Sequence, residues 1–282
     1  MDYELDGELI PYQISEETND SYTKQLYWNM AIGLQQVDGL TPSKYLIDLA
    51  KDNINGKISN IEIEELIKKY YASQNIDNEK ANNEHECDLV STRINQLLNA
   101  KNFSFRPTTL KLIHEYLFKD IYDFAGKYRT YNITKREPIL KGETVIYSSY
   151  NEIEKTIEYD FKQEMEYDYS KLSLQEQIEH IADFTSRIWQ IHPFGEGNTR
   201  TVAVIIEKYL RSLGYNINND LFKENSVYFR NALVRSNYTN IAKNVYATNE
   251  YLIKFFENLL TNKKSKLNSK DLIIKEELNF NK

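Results

Sequence analysis

"IHPFGEGNTR", residues 191–200, gathers a histidine, a proline, two glycines, an acid and an arginine into ten positions of a chain that holds only 9 glycines and 5 prolines in 282 residues. Ahead of it, Ile178, Ile181, Ala182, Thr185, Ile188, Trp189 and His192 recur at steps of three and four, which puts His192 on the buried stripe of a helix, at its C-terminal end. Pro193 should stop that helix, because a proline disfavours helical geometry in the residue before it. Beyond the loop, Val202, Ile205, Ile206, Tyr209, Leu210 and Leu213 define a second buried helix closed by Gly214. The decapeptide reads as a helix-loop-helix corner.

Gly195 and Gly197 let the backbone turn its N–H groups into the loop, and Asn198 sits where a cap belongs, so the second helix offers its positive end to an anion. Arg200, in the first turn, adds a fixed charge and a bidentate donor suited to phosphate. Glu196 lies among these donors, where a carboxylate repels phosphate unless a hard cation such as Mg²⁺ bridges the two. With His192 as a base for a hydroxyl proton, the set has what phosphoryl or nucleotidyl transfer requires. The alternative is a core histidine above a plain Gly-Glu-Gly-Asn turn; the density of functional residue types favours the anion-binding corner.

The rest of the chain sets the context. With 41% hydrophobic and 27% charged residues it can bury a full core. A net charge of −7, with Lys and Arg interspersed among Asp and Glu, gives no basic footprint for nucleic acid. The single cysteine, Cys87, excludes an internal disulfide and a cysteine-built zinc site. "MDYELDGELI" at the start lacks the charge and apolar core of a secretion signal, and no run reaches the roughly 18 apolar residues of a membrane span. These features predict a protein that is cytoplasmic, or delivered to another cell, with no nucleic-acid or membrane partner. His180 and His192 stand twelve apart without a third ligand, and His85 with Glu86 lies in a polar segment, so structural zinc is not expected.

Spacings of three and four predominate, which predicts an all-α fold. Expected helices cover about 20–37, a stretch capped by Thr41 and Pro42 and ended at Asn55-Gly56, and 59–74, together a small three-helix unit. The polar stretch 73–86 marks a boundary, giving an N-terminal unit 1–75 and a core 76–262. Within the core, helices follow over 89–100, from Pro107 to Gly126, and at about 150–167, 174–191, 199–213, 225–235 and 248–261. β-branched and aromatic residues around Lys141-Gly142 suggest a short hairpin. The acid-rich "KQEMEYDY" at 162–169 and the charged tail 263–282 read as solvated.

"HPFGEGNTR" resembles the signature of Fic proteins, His-x-Phe-x-(Asp/Glu)-Gly-Asn-(Gly/Lys)-Arg, and "IYDFAGKYRTYNI" at 121–133 resembles the segment that precedes their β-hairpin flap. The resemblance spans roughly 85–260. It implies a Fic-fold bundle that transfers AMP from ATP to a Ser, Thr or Tyr hydroxyl of a target protein. By that likeness His192 is the general base, Phe194 anchors the loop, Glu196 holds Mg²⁺, Gly197 and Asn198 cradle the phosphates and Arg200 clamps them, with Gly195 and Thr199 beside them in the nucleotide site. The flap, about 136–148, would hold the target segment by main-chain pairing. Tyr228 either lines the adenine pocket or packs against the bundle.

Residues 24–73 resemble the small Fic antitoxin fused ahead of the core, an intramolecular inhibitory partner. In that antitoxin a Ser/Thr-x-x-x-Glu-Gly/Asn motif sends a glutamate to the second arginine of the Fic signature. Here Gly39 is kept, but Leu34 stands for the Ser/Thr, Asp38 for the glutamate and Ala203 for the second arginine; Thr199 replaces a glycine. The family's usual lock cannot form. Asp38 pairs with Arg200 instead, or the segment blocks the site by bulk, or the nucleotide lies differently. Asp38-Gly39 also reads simply as a helix stop. The substitutions leave open another transferred group (UMP, phosphocholine or phosphate) and a catalytically silent nucleotide-binding or toxin-antitoxin module.

Overall fold

Short polar side chains start the N-terminal helices. The computed structural model describes residues 20–73, 78–261 and 263–275. Helix α1 (Ser21–Gly33) begins behind Asp20, whose carboxylate accepts from the Thr23 amide. Helix α2 (Lys44–Ile54) begins behind Ser43 and α3 (Asn60–Ala72) behind a Ser59–Glu62 capping box. Ser43, rather than Thr41 or Pro42, caps α2 because its hydroxyl accepts from the Leu46 amide at 3.1 Å while buried Asp88 takes the Ser43 amide (2.9 Å) and hydroxyl (2.5 Å).

The remaining helices are α4 (Glu79–Asn99), α5 (Pro107–Phe118), α6 (Ile153–Met165), α7 (Leu174–Ile191), α8 (Asn198–Ser212), α9 (Asp220–Ser236) and α10 (Glu250–Leu260). Sequence predicts that α5 runs to Gly126, yet it stops at Phe118. The fully buried Arg93 guanidinium accounts for this: it donates to the carbonyls of Leu117 (3.3 Å) and Lys119 and to Asp120 Oδ2 (2.6 Å), a cation seated on the helix's C-terminal carbonyls. Asp120 then turns away with φ +69°.

The all-α expectation holds. The hairpin differs from its expected form. The chain reverses, with the Glu137 amide donating to the Glu143 carbonyl at 2.8 Å, but through a 3-10 turn (Pro138–Leu140) and Lys141 at φ +54°. Among the described residues no β-strand forms, and the isolated bridge recorded lies elsewhere, between Asn240 and Val245. Pro138 removes a ladder donor, and Ile139 and Leu140 turn into the core.

Helix α1 packs on α4 and α9. Its Tyr27, Met30 and Ala31, with Leu34 just beyond, join the main core, whereas Trp28 belongs to a second cluster with Leu46, Leu49, Ile63, Ile67, Tyr71 and Leu89. Gly33 permits the close approach to α9, since a Cβ there would stand 2.5 Å from the Phe222 carbonyl oxygen. Its own carbonyl accepts from Ser226 Oγ at 2.7 Å. The chain then tightens into a 3-10 turn, Leu34–Asp38, closed by Gly39 at φ +73°, and that turn faces the start of α8.

Two segments expected to be solvated are exposed along most of their described length, but each carries a buried anchor. Glu164 is 2% exposed, because it accepts from Tyr169 (2.5 Å) and Tyr209 (2.8 Å) and meets His180 Nε2 at 2.7 Å. In the tail, Leu272 and Ile274 are buried and the Ile274 amide donates to the Ile139 carbonyl at 3.0 Å, strapping the turn between α5 and α6. The boundary expected at 75/76, its counterpart at residue 262, the first 19 residues and residues 276–282 lie outside the described residues.

Candidate active site

Helix α7 starts in a Ser173–Glu176 capping box and ends at His192, which takes a left-handed conformation (φ 49°, ψ 58°). For a residue with a Cβ that conformation costs about 1–2 kcal/mol, so the corner must be held. Arg129 holds it. Its Nε donates to the His192 carbonyl (2.8 Å), Nη2 to those of Ser148 (2.5 Å) and Ile191 (3.3 Å), Nη1 to that of Tyr131 (2.6 Å), and its backbone amide to Pro193 (2.8 Å). One guanidinium thereby ties Tyr131, ahead of the flap segment, and Ser148, at its end, to the carbonyls of Ile191 and His192 at the end of α7.

The His192 ring is 3% exposed, with Tyr147 of the flap segment 4.3 Å away between centroids and Trp189 edge-on at 5.2 Å. Nδ1 lies 3.3 Å from the Trp189 carbonyl, an acceptor, which assigns the proton to Nδ1 and the lone pair to Nε2. Burial pushes the imidazole pKa well below its ordinary value; Lys135, Arg230 and Arg129 push the same way, and the Trp189 carbonyl opposes them. His192 is therefore a neutral base at pH 7.

Phe194 is 1% exposed and stacks on His114 at 3.7 Å. His114 Nδ1 accepts from the Gly126 amide (2.9 Å), so Nε2 donates to the Glu196 carbonyl (3.0 Å). This buried ring, its pKa pushed down to about 4 chiefly by burial, supports the loop from below. Asn198 is the first residue of α8 rather than its cap; Gly197, at φ +75°, takes that place. The Asn198 side chain folds back instead, accepting from the Phe194 amide and donating to its carbonyl, both at 2.9 Å. Gly197 is required twice over, since a Cβ would stand 2.4 Å from the Phe118 ring. At Gly195 the need is space, a Cβ there lying 3.1 Å from the Tyr131 hydroxyl.

Arg200 is 1% exposed and held from outside the loop. Nη1 donates to Gln35 Oε1 (2.9 Å), Nη2 to Glu86 Oε1 (2.7 Å), and Asp38 Oδ2 lies 2.8 Å from Nε, in contact but off the N–H direction. The Phe118 ring covers it at 4.8 Å. Two carboxylates against one guanidinium leave this pocket net negative. Glu196 is half exposed, and its carboxylate pairs at 2.9 Å with Lys135, which precedes the flap segment.

Thr199 takes the Trp189 indole N–H on its hydroxyl at 2.9 Å, and Ala203 is buried in the core. Tyr228, 3% exposed, packs in the same core with its hydroxyl donating to the Tyr251 carbonyl at 3.3 Å. The corner thus brings together His192, Phe194, Gly195, Glu196, Gly197, Asn198, Thr199 and Arg200, and the N-terminal turn adds Asp38 with Gly39. Sequence reasoning missed Gln35, Glu86, His114, Arg129 and Lys135. All reach the corner from distant elements, and no spacing within one helix signals them. Among the described residues no group of three His, Cys, Asp or Glu side chains could hold a metal, and no helix is long and apolar enough to cross a membrane.

Comparison with known proteins fits this geometry. Residues 104–210 match the Fic/DOC family. The protein adenylyltransferase VbhT of Bartonella schoenbuchensis is 29% identical over 147 residues, 48% of this chain and 30% of that protein. The chain thus aligns with less than a third of that relative's length. The N-terminal Fic domain of a Bep effector from Bartonella sp. AR 15-3 superimposes with a TM-score of 0.52 at 17% identity, covering 64% of this chain and 83% of that one. BepC of Bartonella tribocorum, solved with bound AMPPNP, gives 0.50 at 20% identity, over 64% of this chain and 87% of its own. The helix-loop-helix corner and the helices around it, residues 104–210, are the part of this chain that matches the Fic/DOC family, and the fold is that of a Fic domain.

Proposed function

We propose that the protein transfers AMP from ATP to a hydroxyl side chain of a target protein, and that its N-terminal turn attenuates the reaction. The observation that carries this is the buried, neutral His192, whose Nδ1 proton is committed to the Trp189 carbonyl and which opens the loop that leads into the N-terminus of α8. The first-turn amides of a helix have no helical carbonyl as partner and suit phosphate. His192 takes the proton of a Ser, Thr or Tyr hydroxyl. That oxygen forms a bond to the α-phosphorus as the α–β anhydride bond breaks and pyrophosphate leaves.

Glu196 fits Mg²⁺: it is a half-exposed carboxylate and, among the described residues, no group of three or more His, Cys, Asp or Glu would cage a metal, which suits an ion that keeps its waters and takes the rest of its oxygens from phosphate. When bound, the ion neutralises charge on the phosphates and the leaving pyrophosphate. Gly195, Gly197 and Asn198 shape the loop beneath them, and Arg200 supplies a clamp once released from Asp38. The target enters along the flap segment, 136–148, where Ile146 is 81% exposed.

Incubation of the full chain and of an Asp38→Ala variant with radiolabelled ATP, Mg²⁺ and lysate should label a protein band or the enzyme itself, more strongly for the variant. Silence in both would overturn the reading. Thr199 committed to Trp189 and Ala203 in the core motivate the same assay with UTP, CDP-choline and γ-labelled ATP, in which preference for one of these would reassign the transferred group. Nucleotide binding without turnover on any donor would make the chain a silent binding module.

A further inference from the structure

The charge balance at the loop is short of cations. Arg200 is shared by two carboxylates, Arg230 is taken bidentately by buried Glu137 (2.7 and 3.0 Å), Arg129 is spent on backbone carbonyls, and position 203 carries no charge. A triphosphate keeps net negative charge even with one divalent ion. Lys135 differs from the other three. It enters from the residue that precedes the flap segment, with its backbone amide on Thr144 Oγ1 of that segment (3.3 Å), and its ammonium meets Glu196 Oε2 at 2.9 Å. Both side chains are partly exposed, 28% and 50%, so the pair stands at the open mouth of the loop.

We propose that Lys135 is the phosphate-binding cation of this site, supplied from just ahead of the flap segment where the loop itself lacks a second one. This rests on the AMP-transfer reading. In the present structure the ammonium is paired with the carboxylate that would hold a divalent ion. A dication outcompetes a monocation for a single carboxylate, and the displaced ammonium then has the phosphates on that same ion as its nearest partner. A flexible stem with a compact charge suits that exchange better than a planar fork held in one place. Lys135 thus opposes metal without nucleotide and favours the two together.

The two roles predict effects of opposite sign from one substitution. In the full chain carrying Asp38→Ala, which releases Arg200, Lys135→Met should bind Mn²⁺ alone more tightly by electron paramagnetic resonance titration. The same variant should bind the Mg²⁺ complex of a non-hydrolysable ATP analogue roughly 10- to 100-fold more weakly by calorimetry, the size of a lost charge-assisted hydrogen bond. Adenosine binding should not change, and Lys135→Arg should recover most of the analogue affinity. Unchanged analogue affinity in Lys135→Met, or an equal loss for adenosine, would overturn the proposal. If the Asp38→Ala parent binds Mn²⁺ but no analogue, the AMP-transfer reading falls and this inference falls with it, an outcome seen in the parent rather than in the lysine variant.

Discussion

Asp38 Oδ2 lies 2.8 Å from Arg200 Nε, joining the turn that ends the first helix to the first turn of the helix that follows the loop. Of the arrangements that the sequence leaves open, the structure has Asp38 against Arg200, while position 203, an alanine, offers no charge. Glu86, at 2.7 Å and also accepting from Tyr122 at 2.7 Å, holds the same guanidinium from within α4. An arginine with two carboxylates and an amide oxygen has little left for phosphate, and a buried net-negative pocket repels it.

Asp38→Ala should therefore raise affinity for the ATP analogue about tenfold, the effect of roughly 1.4 kcal/mol, with transfer rate rising in step. Because Asp38 is a third exposed, thermal stability should change by less than about 1 kcal/mol. Glu86→Gln should act differently. It removes the acid that orients Arg200 from the core and leaves Asp38 in place, so it should not activate. Calorimetry and initial rates on the two variants separate these outcomes; equal activation by both would show that charge alone, and not the Asp38 turn, limits the site.

His192 should set an acid limb in the pH dependence of kcat/KM that lies below pH 6.5, because burial and three nearby cations hold its pKa well below that of a free imidazole. Removing a cation raises the pKa again, so Lys135→Met should move the limb to higher pH. His192→Ala should abolish transfer while leaving ATP-analogue binding within a few-fold. Transfer that survives in His192→Ala would remove the general-base assignment.

The corner was legible because it is built from local rules. A run of three- and four-residue spacings, a proline and two glycines announce a helix stop, a tight turn and a restart, and His192, Glu196 and Arg200 are placed by counting along it. What surrounds the corner was not, because those contacts join distant segments. Glu86 sits in a polar stretch that reads as a linker, and Lys135 just ahead of the residues read as a hairpin around Lys141-Gly142; only the folded chain brings them to Arg200 and Glu196. Leu272 and Ile274 are an apolar pair diluted by charged neighbours, so the tail read as solvated. Asn198 shows a finer limit: composition marks a cap, whereas the left-handed Gly197 takes that place and frees the amide to brace Phe194.

His114 should make stability depend on pH. Its pKa is about 4 in the fold against 6.5 for the free side chain, so between those values the unfolded chain binds more protons than the folded one and stability rises with pH. The contribution is whole above pH 6.5 and is lost as pH falls toward 4, up to roughly 3 kcal/mol for a fully buried imidazole. His114→Gln keeps a donor for the Glu196 carbonyl and cannot titrate. Urea unfolding at pH 7 and pH 4.5 should show a smaller difference for the variant than for the wild type; equal differences would mean that other groups carry the acid sensitivity.

Gly197→Ala meets two obstacles that can be separated. The positive φ costs about 1 kcal/mol for any residue with a Cβ, and the clash with the Phe118 ring adds about 1–3 kcal/mol of overpacking. Phe118→Leu in the same chain relieves the second and not the first. Chemical denaturation should find the double variant more stable than the sum of the two single changes predicts, a coupling of at least about 0.5 kcal/mol. Additive losses would place the whole penalty in the backbone.

Arg129 should act through His192. With four carbonyl acceptors on its guanidinium, its removal leaves several of them buried and unpaired, at about 1–3 kcal/mol each, so Arg129→Met should lose much of the fold. Arg129→Lys is the informative change: the charge stays, but an ammonium cannot span His192, Ile191, Tyr131 and Ser148 together. The corner then loses its grip on the flap segment while the protein remains folded. kcat should fall roughly 10- to 100-fold, as expected when a base is displaced by about an ångström, and the ATP-analogue affinity should stay within a few-fold, because α8 and Arg200 are untouched. The acid limb should stay in place, since the nearby positive charge is kept. A fall in affinity as large as the fall in kcat would instead mean that the Arg129 ties shape the nucleotide site as a whole rather than the placement of the base.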